Sequence, residues 1–162
     1  MNELYFYGHT EKSGEKRCLS NWYPCEFVDE KGNKFYSSEQ YMMYKKAILF
    51  NDLEKAAEIL ETTSPKVAKI KGRQVKKFVQ EIWDKNAQDI VFKACLLKFS
   101  QNEDIKKYLL STSDKILAEA SQFDKIWGIG ISIKKAEEGC EWKGRNWLGK
   151  CLMKVRDTLD KN

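Results

Sequence analysis

Across residues 75–101 the apolar side chains of Val75, Val79, Ile82, Trp83, Ile90, Ala94 and Leu97 recur at helical spacing. This predicts one long helix or two consecutive ones, a spine on which the other elements must pack. Cys95 lies in the same apolar run and is expected in the core. With two prolines in 162 residues the chain needs few irregular linkers, and its length predicts one domain, residues 1–162.

Other segments can be placed around the spine. Residues 3–7 are rich in β-formers and predict a strand, followed by an exposed charged loop from Gly8 to Arg17. A hairpin is expected from Glu26-Phe27-Val28 and Lys34-Phe35-Tyr36 around a turn at 30–33. Ser37 followed by Gln40 is a capping-box pattern, so a helix starts there, with hydroxyl and amide satisfying the first free N–H groups. Further helices are expected from Asp52 to Leu60, from Ser64-Pro65 to Gly72, from Glu103 to Leu110, and from an Asn146 N-cap through Leu159. The result is a mainly α (α+β) class: a compact helical fold with a small N-terminal β element.

The helix after Ser37 carries the least ordinary pattern. Glu39, Met42, Met43, Lys46 and Phe50 share one broad face, and Tyr41, Tyr44 and Ile48 make an apolar surface on the other, so both sides look covered. Read alone, Glu39 and Lys46 are two solvated charges. Their apolar company favours a second reading. Two turns separate them by roughly 10 Å, too far for a simple salt bridge but suited to the two ends of a small ligand.

Other residues carry paired readings. Arg73, after Gly72, is either a surface or capping arginine or an anion ligand. Trp83 is a core residue or a stacking surface. Glu119 interrupts an apolar segment, an expensive place for a carboxylate unless it is paired or used. Trp127-Gly128-Ile129-Gly130 is a glycine turn around a packed ring, or a place where backbone approaches a ligand closely. Lys143 and Arg145 beside the Asn146 helix start suggest a phosphate site, although Gly and Asn are also routine there.

Composition excludes several classes. No apolar run reaches the length of a membrane helix, and the N-terminal residues do not read as a signal peptide, so a cytoplasmic location is expected. Five scattered cysteines without a CxxC pair argue for a reduced compartment, and one histidine, His9, leaves little from which to build a zinc site. No metal or cofactor is expected. The net charge of +5 mildly favours an anionic partner. Neither a P-loop nor a Rossmann glycine pattern is present.

Taken in order, Leu19-Ser20-Asn21-Trp22, Ser38-Glu39-Gln40-Tyr41 with Lys46, Lys71-Gly72-Arg73, Lys98-Phe99, Glu119, Asp124 with Trp127-Gly128-Ile129-Gly130, and 142–149 with Leu152-Met153 and Arg156 resemble the YbiA-like, or NADAR, family over nearly the whole chain. The resemblance implies a compact, mainly helical fold and hydrolysis of N-glycosidic bonds to ribose. Substrates associated with that family are ADP-ribose on guanine bases and ribosylaminopyrimidine phosphate intermediates of riboflavin synthesis. A phosphorylated ribosyl or ADP-ribosyl group is therefore the expected partner, with ADP-ribosylated DNA or RNA as a possible carrier.

By the same resemblance, Glu39 stabilises charge at the anomeric carbon or activates water, and its first-turn position favours the ionised form. Lys46 is the alternative, an amine nucleophile giving an imine. Asp124 and Glu119 orient ribose hydroxyls or move protons; Trp127, with Trp83, stacks on a base. Asn21, Trp22, Gly128 and Gly130 complete the substrate contacts, and Arg73 and Asn146 hold phosphate. The segment His9 to Arg17 matches no family motif, which leaves substrate choice open. Two competing readings are a non-catalytic ADP-ribose-binding module and a nucleic-acid-binding protein using Tyr5, Phe6 and Tyr7 as its platform.

Overall fold

The computed structural model describes residues 2–161. Its contacts gather into two compact units: Pro24–Asn102, continuous in sequence, and a second built from the chain up to Tyr23 and again from Glu103.

The continuous unit opens with the expected hairpin, β2 (Phe27–Val28) antiparallel to β3 (Lys34–Phe35). Asp29 closes its turn, its carboxylate accepting the N–H groups of Lys31 and Asn33 and the Asn33 side-chain amide. The Gln101 amide brackets Val28, accepting from its N–H and donating to its C=O, both at 2.8 Å. Four helices follow: α1 (Ser38–Leu49), α2 (Leu53–Glu61), α3 (Pro65–Gly72) and α4 (Gln80–Ser100).

Helix α1 packs on α2, α3 and α4 and is the centre of this unit. Ser37 caps it through Gln40 N–H at 3.1 Å, but the reciprocal half of the box is redirected. The Gln40 carbonyl accepts from Tyr36 N–H, and its amide donates to Ile59 and Thr62 carbonyls, tying α1 to the end of α2. Ile48 is exposed, so the second face of α1 is covered only in its first half, where Tyr41 and Tyr44 pack on Phe35.

Gly72 ends α3 where it meets α1. A Cβ there would run into the Met43 side chain, so glycine allows this approach with Met43 left in place. The spine begins at Gln80 rather than Val75, because Lys77 takes a left-handed conformation (φ 61°) and Val79 an extended one, which no helix can include.

In the other unit, β1 (Glu3–Phe6) pairs in parallel with β4 (Ile116–Glu119), Glu3 opposite Ile116 and Phe6 opposite Glu119. The charged loop expected after β1 is mostly wound into a 3₁₀ segment, Glu11–Leu19, kinked at Gly14 (φ 67°). Helices α5 (Glu103–Ser111), α6 (Ile133–Glu137) and α7 (Trp147–Asp160) complete the unit. Leu148, Leu152 and Val155 of α7 are buried, as are Phe6, Leu117 and Ala118 of the two strands. Arg156 reaches from α7 to the Thr112 hydroxyl and Lys115 carbonyl, each at 2.9 Å. The fold is thus mainly helical with small β elements, and β1 is paired with a strand far along the chain. Among the described residues no helix is long and apolar enough to cross a membrane.

Candidate functional site

In the continuous unit three of the expected site residues, Glu39, Arg73 and Trp83, come together around a fourth, Lys46. Glu39 occupies the first turn of α1 and is 6% exposed, so it is not the solvated charge of the simpler reading. Two turns further along, Lys46 is half-buried, its Nζ lying 4.6 Å from the ring centroid of Phe78 and 5.7 Å from that of Trp83. Trp83 is buried at the start of α4, and Phe78 packs on Phe50 at 5.3 Å. Burial pushes the Lys46 amine below its ordinary pKa; the Glu39 carboxylate opposes that shift and the Arg73 guanidinium adds to it. Arg73 is exposed at the C-cap of α3, so an exposed cation bears on a desolvated amine.

This cluster combines a buried carboxylate, an amine shifted toward its neutral form, and aromatic faces that tolerate a cation. Such a set suits a reaction in which positive charge develops on the substrate.

The remaining expected residues lie in the other unit. Asp124 Oδ1 accepts from the backbone N–H groups of Ile126 and Trp127, both at 2.9 Å, and so shapes the turn that presents Trp127. Trp127 is half-buried with Trp147 edge-on at 5.4 Å, and the Arg145 guanidinium lies over the Trp147 ring at 5.8 Å. Glu119 ends β4, half-buried, its backbone fully engaged. Asn21 is buried, and Trp22 is half-buried with His9 tilted against it at 5.7 Å.

Three expectations in this unit need correction. Asn146 is positioned as the N-cap of α7 but makes no side-chain cap; in a left-handed conformation (φ 54°), it donates to the Leu117 carbonyl and accepts from Glu119 N–H. The backbone N–H groups around the start of α7 do not face an anion either. Those of Lys143, Arg145, Asn146, Trp147 and Leu148 donate to carbonyls of residues 125–129. Finally, the space beside Gly128 and Gly130 is filled by the unit's own atoms, the carbonyls of Asp124 and Glu119 for one and Lys125 and Lys143 for the other. These glycines serve close packing of the unit's own chain.

The nucleic-acid platform expected at Tyr5, Phe6 and Tyr7 is also dissolved by the fold, because Tyr5 and Phe6 are buried and only Tyr7 is open. Sequence reading missed Phe78, which belongs to no periodic run and reaches Lys46 from the link between α3 and α4. It also gave Lys98 no role, although this residue is fully buried over Phe99 at 5.1 Å. The Lys98 charge partly offsets the upward pKa shift that burial gives Cys25, and that of Cys95, which is pushed up to about 11. Among the described residues no group of three or more His, Cys, Asp and Glu is placed to hold a metal ion.

Comparison with known proteins adds the following. The profile of the family described as the NADAR domain matches residues 5–160. An N-glycosidase of Acanthamoeba polyphaga mimivirus is 41% identical over 95% of this chain and 94% of its own length. The solved structure of the Escherichia coli protein YbiA superposes with a TM-score of 0.79 at 27% identity, covering 99% of this chain and 88% of the other. A riboflavin biosynthesis protein of Vibrio vulnificus is 30% identical over 98% of this chain, which spans 39% of that longer protein.

Proposed function

Because this chain belongs to the NADAR family of N-glycosidases, we propose that it hydrolyses the C–N bond between a phosphorylated ribosyl or ADP-ribosyl group and a base-type leaving group. The observation that carries this reading is the Lys46 cluster, in which Glu39, Arg73, Phe78 and Trp83 surround a desolvated amine. Breaking such a bond builds positive charge on the sugar. The Glu39 carboxylate offsets that charge or takes a proton from the attacking water, and the base leaves with a proton. In the alternative course the neutral Lys46 amine attacks the anomeric carbon and expels the base. The opened sugar is then held as an imine until water releases it and restores the amine. Arg73, exposed and cationic, takes the phosphate.

For Asp124, Glu119, Trp127, Asn21 and Trp22 a contact to sugar or base is proposed from the family resemblance alone, and Asp124 would act chiefly through the turn it holds. Two substrates fit the family: ADP-ribose on guanine, and a ribosylaminopyrimidine phosphate. One observation favours a substrate carried on nucleic acid. Phe123 is 82% exposed, and Lys125, Lys143 and Arg145 are exposed on the interlocked segments that follow it. An open ring followed by segments that carry exposed cations suits a stacked base and its phosphates.

Incubation with ADP-ribosylated single-stranded DNA and, separately, with a ribosylaminopyrimidine phosphate, followed by chromatography of the products, tests both levels. Release of free base from either supports the N-glycosidase reading, whereas binding without release supports a recognition module. Phe123→Ala is expected to slow only the reaction on DNA. Equal loss on the small substrate would remove the nucleic-acid reading.

A further inference from the structure

We propose that Phe78 is a positioning residue for Lys46, its ring fixing where the amine sits. This rests on the reading of Lys46 as a working amine. Phe78 is 38% exposed, more than a ring serving only the core would be, and of the two aromatic faces it is the nearer to Nζ. Its placement is held by the chain around it. Lys77 adopts a left-handed conformation, uncommon for a residue with a Cβ. Lys76 N–H is held by Asp52 Oδ2 at 3.0 Å and Gln74 by Lys55 at 3.1 Å, so the link is anchored to α2 and its cap just before it turns. Such a conformation persists where the surroundings over-determine it, and here it delivers the ring over Lys46.

The ring acts on the amine in two opposed ways. Its bulk keeps water from Nζ, which favours the neutral form that attacks carbon. Its negative π face attracts a cation, which favours the ammonium beforehand and the iminium afterwards. Charges bearing on the amine are the Glu39 carboxylate from α1 and the Arg73 guanidinium from the end of α3, while α4 presents the Trp83 ring. An aromatic at position 78 therefore lets one side chain be a nucleophile and then carry positive charge.

The test follows Lys46 by NMR after reductive ¹³C-methylation of the lysines, its resonance identified by its loss in Lys46→Arg. Phe78→Ala admits water and should move the titration up toward 10.5, the ordinary value. Phe78→Leu excludes water but has no π face and should move it down; Phe78→Tyr keeps both properties and should leave it unchanged. Borohydride trapping with substrate should fall about fivefold or more in the Ala and Leu variants and survive in Tyr, in keeping with loss of a desolvated cation–π contact. A titration unmoved by both Ala and Leu overturns the proposal, as does a Tyr variant that behaves like Leu. Should the Ala variant fail to fold, the Leu and Tyr pair decides alone. The titration needs no substrate, so expected shifts without turnover in any protein would retain Phe78's role and reject the N-glycosidase reading.

Discussion

Gly149, in the first turn of α7, faces the strand that carries Glu119. An alanine methyl there would overlap the Leu117 carbonyl and the Asn146 amide, with Asn146 Oδ1 only 2.6 Å away. Neither neighbour can yield cheaply. Leu117 is buried backbone in β4, and Asn146 is committed to Leu117 at 2.9 Å and Glu119 N–H at 3.2 Å. Overpacking of this kind costs about 1–3 kcal/mol. Displacing the Asn146 clamp loses two hydrogen bonds worth about 1 kcal/mol each. Replacing glycine in a helix returns about 1 kcal/mol. Gly149→Ala should therefore destabilise by about 2–4 kcal/mol, lowering Tm by roughly 10 °C in a chain of this length. Thermal and urea unfolding followed by circular dichroism measure this. The companion Asn146→Gly, which preserves the left-handed backbone and deletes only the amide, should cost about 2 kcal/mol, the worth of the two hydrogen bonds. A Gly149→Ala protein as stable as the parent would refute the account of how α7 is fastened to β4.

Further outcomes follow from the Lys46 cluster and its neighbours. Glu39→Gln should lose most turnover while its Tm stays within a few degrees of the parent; an active, folded variant would remove the carboxylate from the mechanism. Because burial lowers the Lys46 pKa, an amine-dependent rate should rise with pH and level off below the 10.5 of an ordinary lysine. The same shift makes the folded state release this proton before the unfolded state does, so its unfavourable contribution, present at neutral pH, is relieved as pH rises from the folded pKa toward 10.5. Lys46→Met should flatten that part of a stability-against-pH curve and abolish the borohydride adduct. Tyr41 is pushed from 10 up to about 12, by burial first and then by nearby Glu30 and Asp29. Its contribution to stability is complete below pH 10 and is lost as pH climbs toward 12; Tyr41→Phe should remove the last step of an ultraviolet phenolate titration.

Local signals carried much of this far. Ser37, Asp52 and Ser64 each cap a helix within three residues of themselves, and the sequence reading placed all three starts correctly. The hairpin around Gly32 was equally local. Where the reading fell short, the deciding contact was distant or the backbone unusual. Nothing near Leu4 announces a parallel partner at Leu117, and Lys77 cuts short a periodicity that looked continuous from Val75. At the site, Glu39 and Lys46 stood out because charges on an apolar helix face are anomalous. Phe78 did not, because its meaning lies in a ring set over an amine from outside any regular element. Asn146 stands at the helix boundary its sequence predicts, but its amide pairs with Leu117 C=O and Glu119 N–H of β4 instead of capping its own helix.

The pairing of β1 with β4 also sets an order of events during synthesis. The first strand leaves the ribosome well ahead of its hydrogen-bonding partner, residues 116–119. At ordinary elongation rates that is a wait on the order of ten seconds. During this interval β1 is an unmatched strand, while residues 24–102 hold every element of their own unit and can fold as they emerge. An N-terminal fusion partner or early chaperone contact therefore acts on a strand still awaiting its complement, and a C-terminal truncation before Ile116 leaves that strand permanently without one.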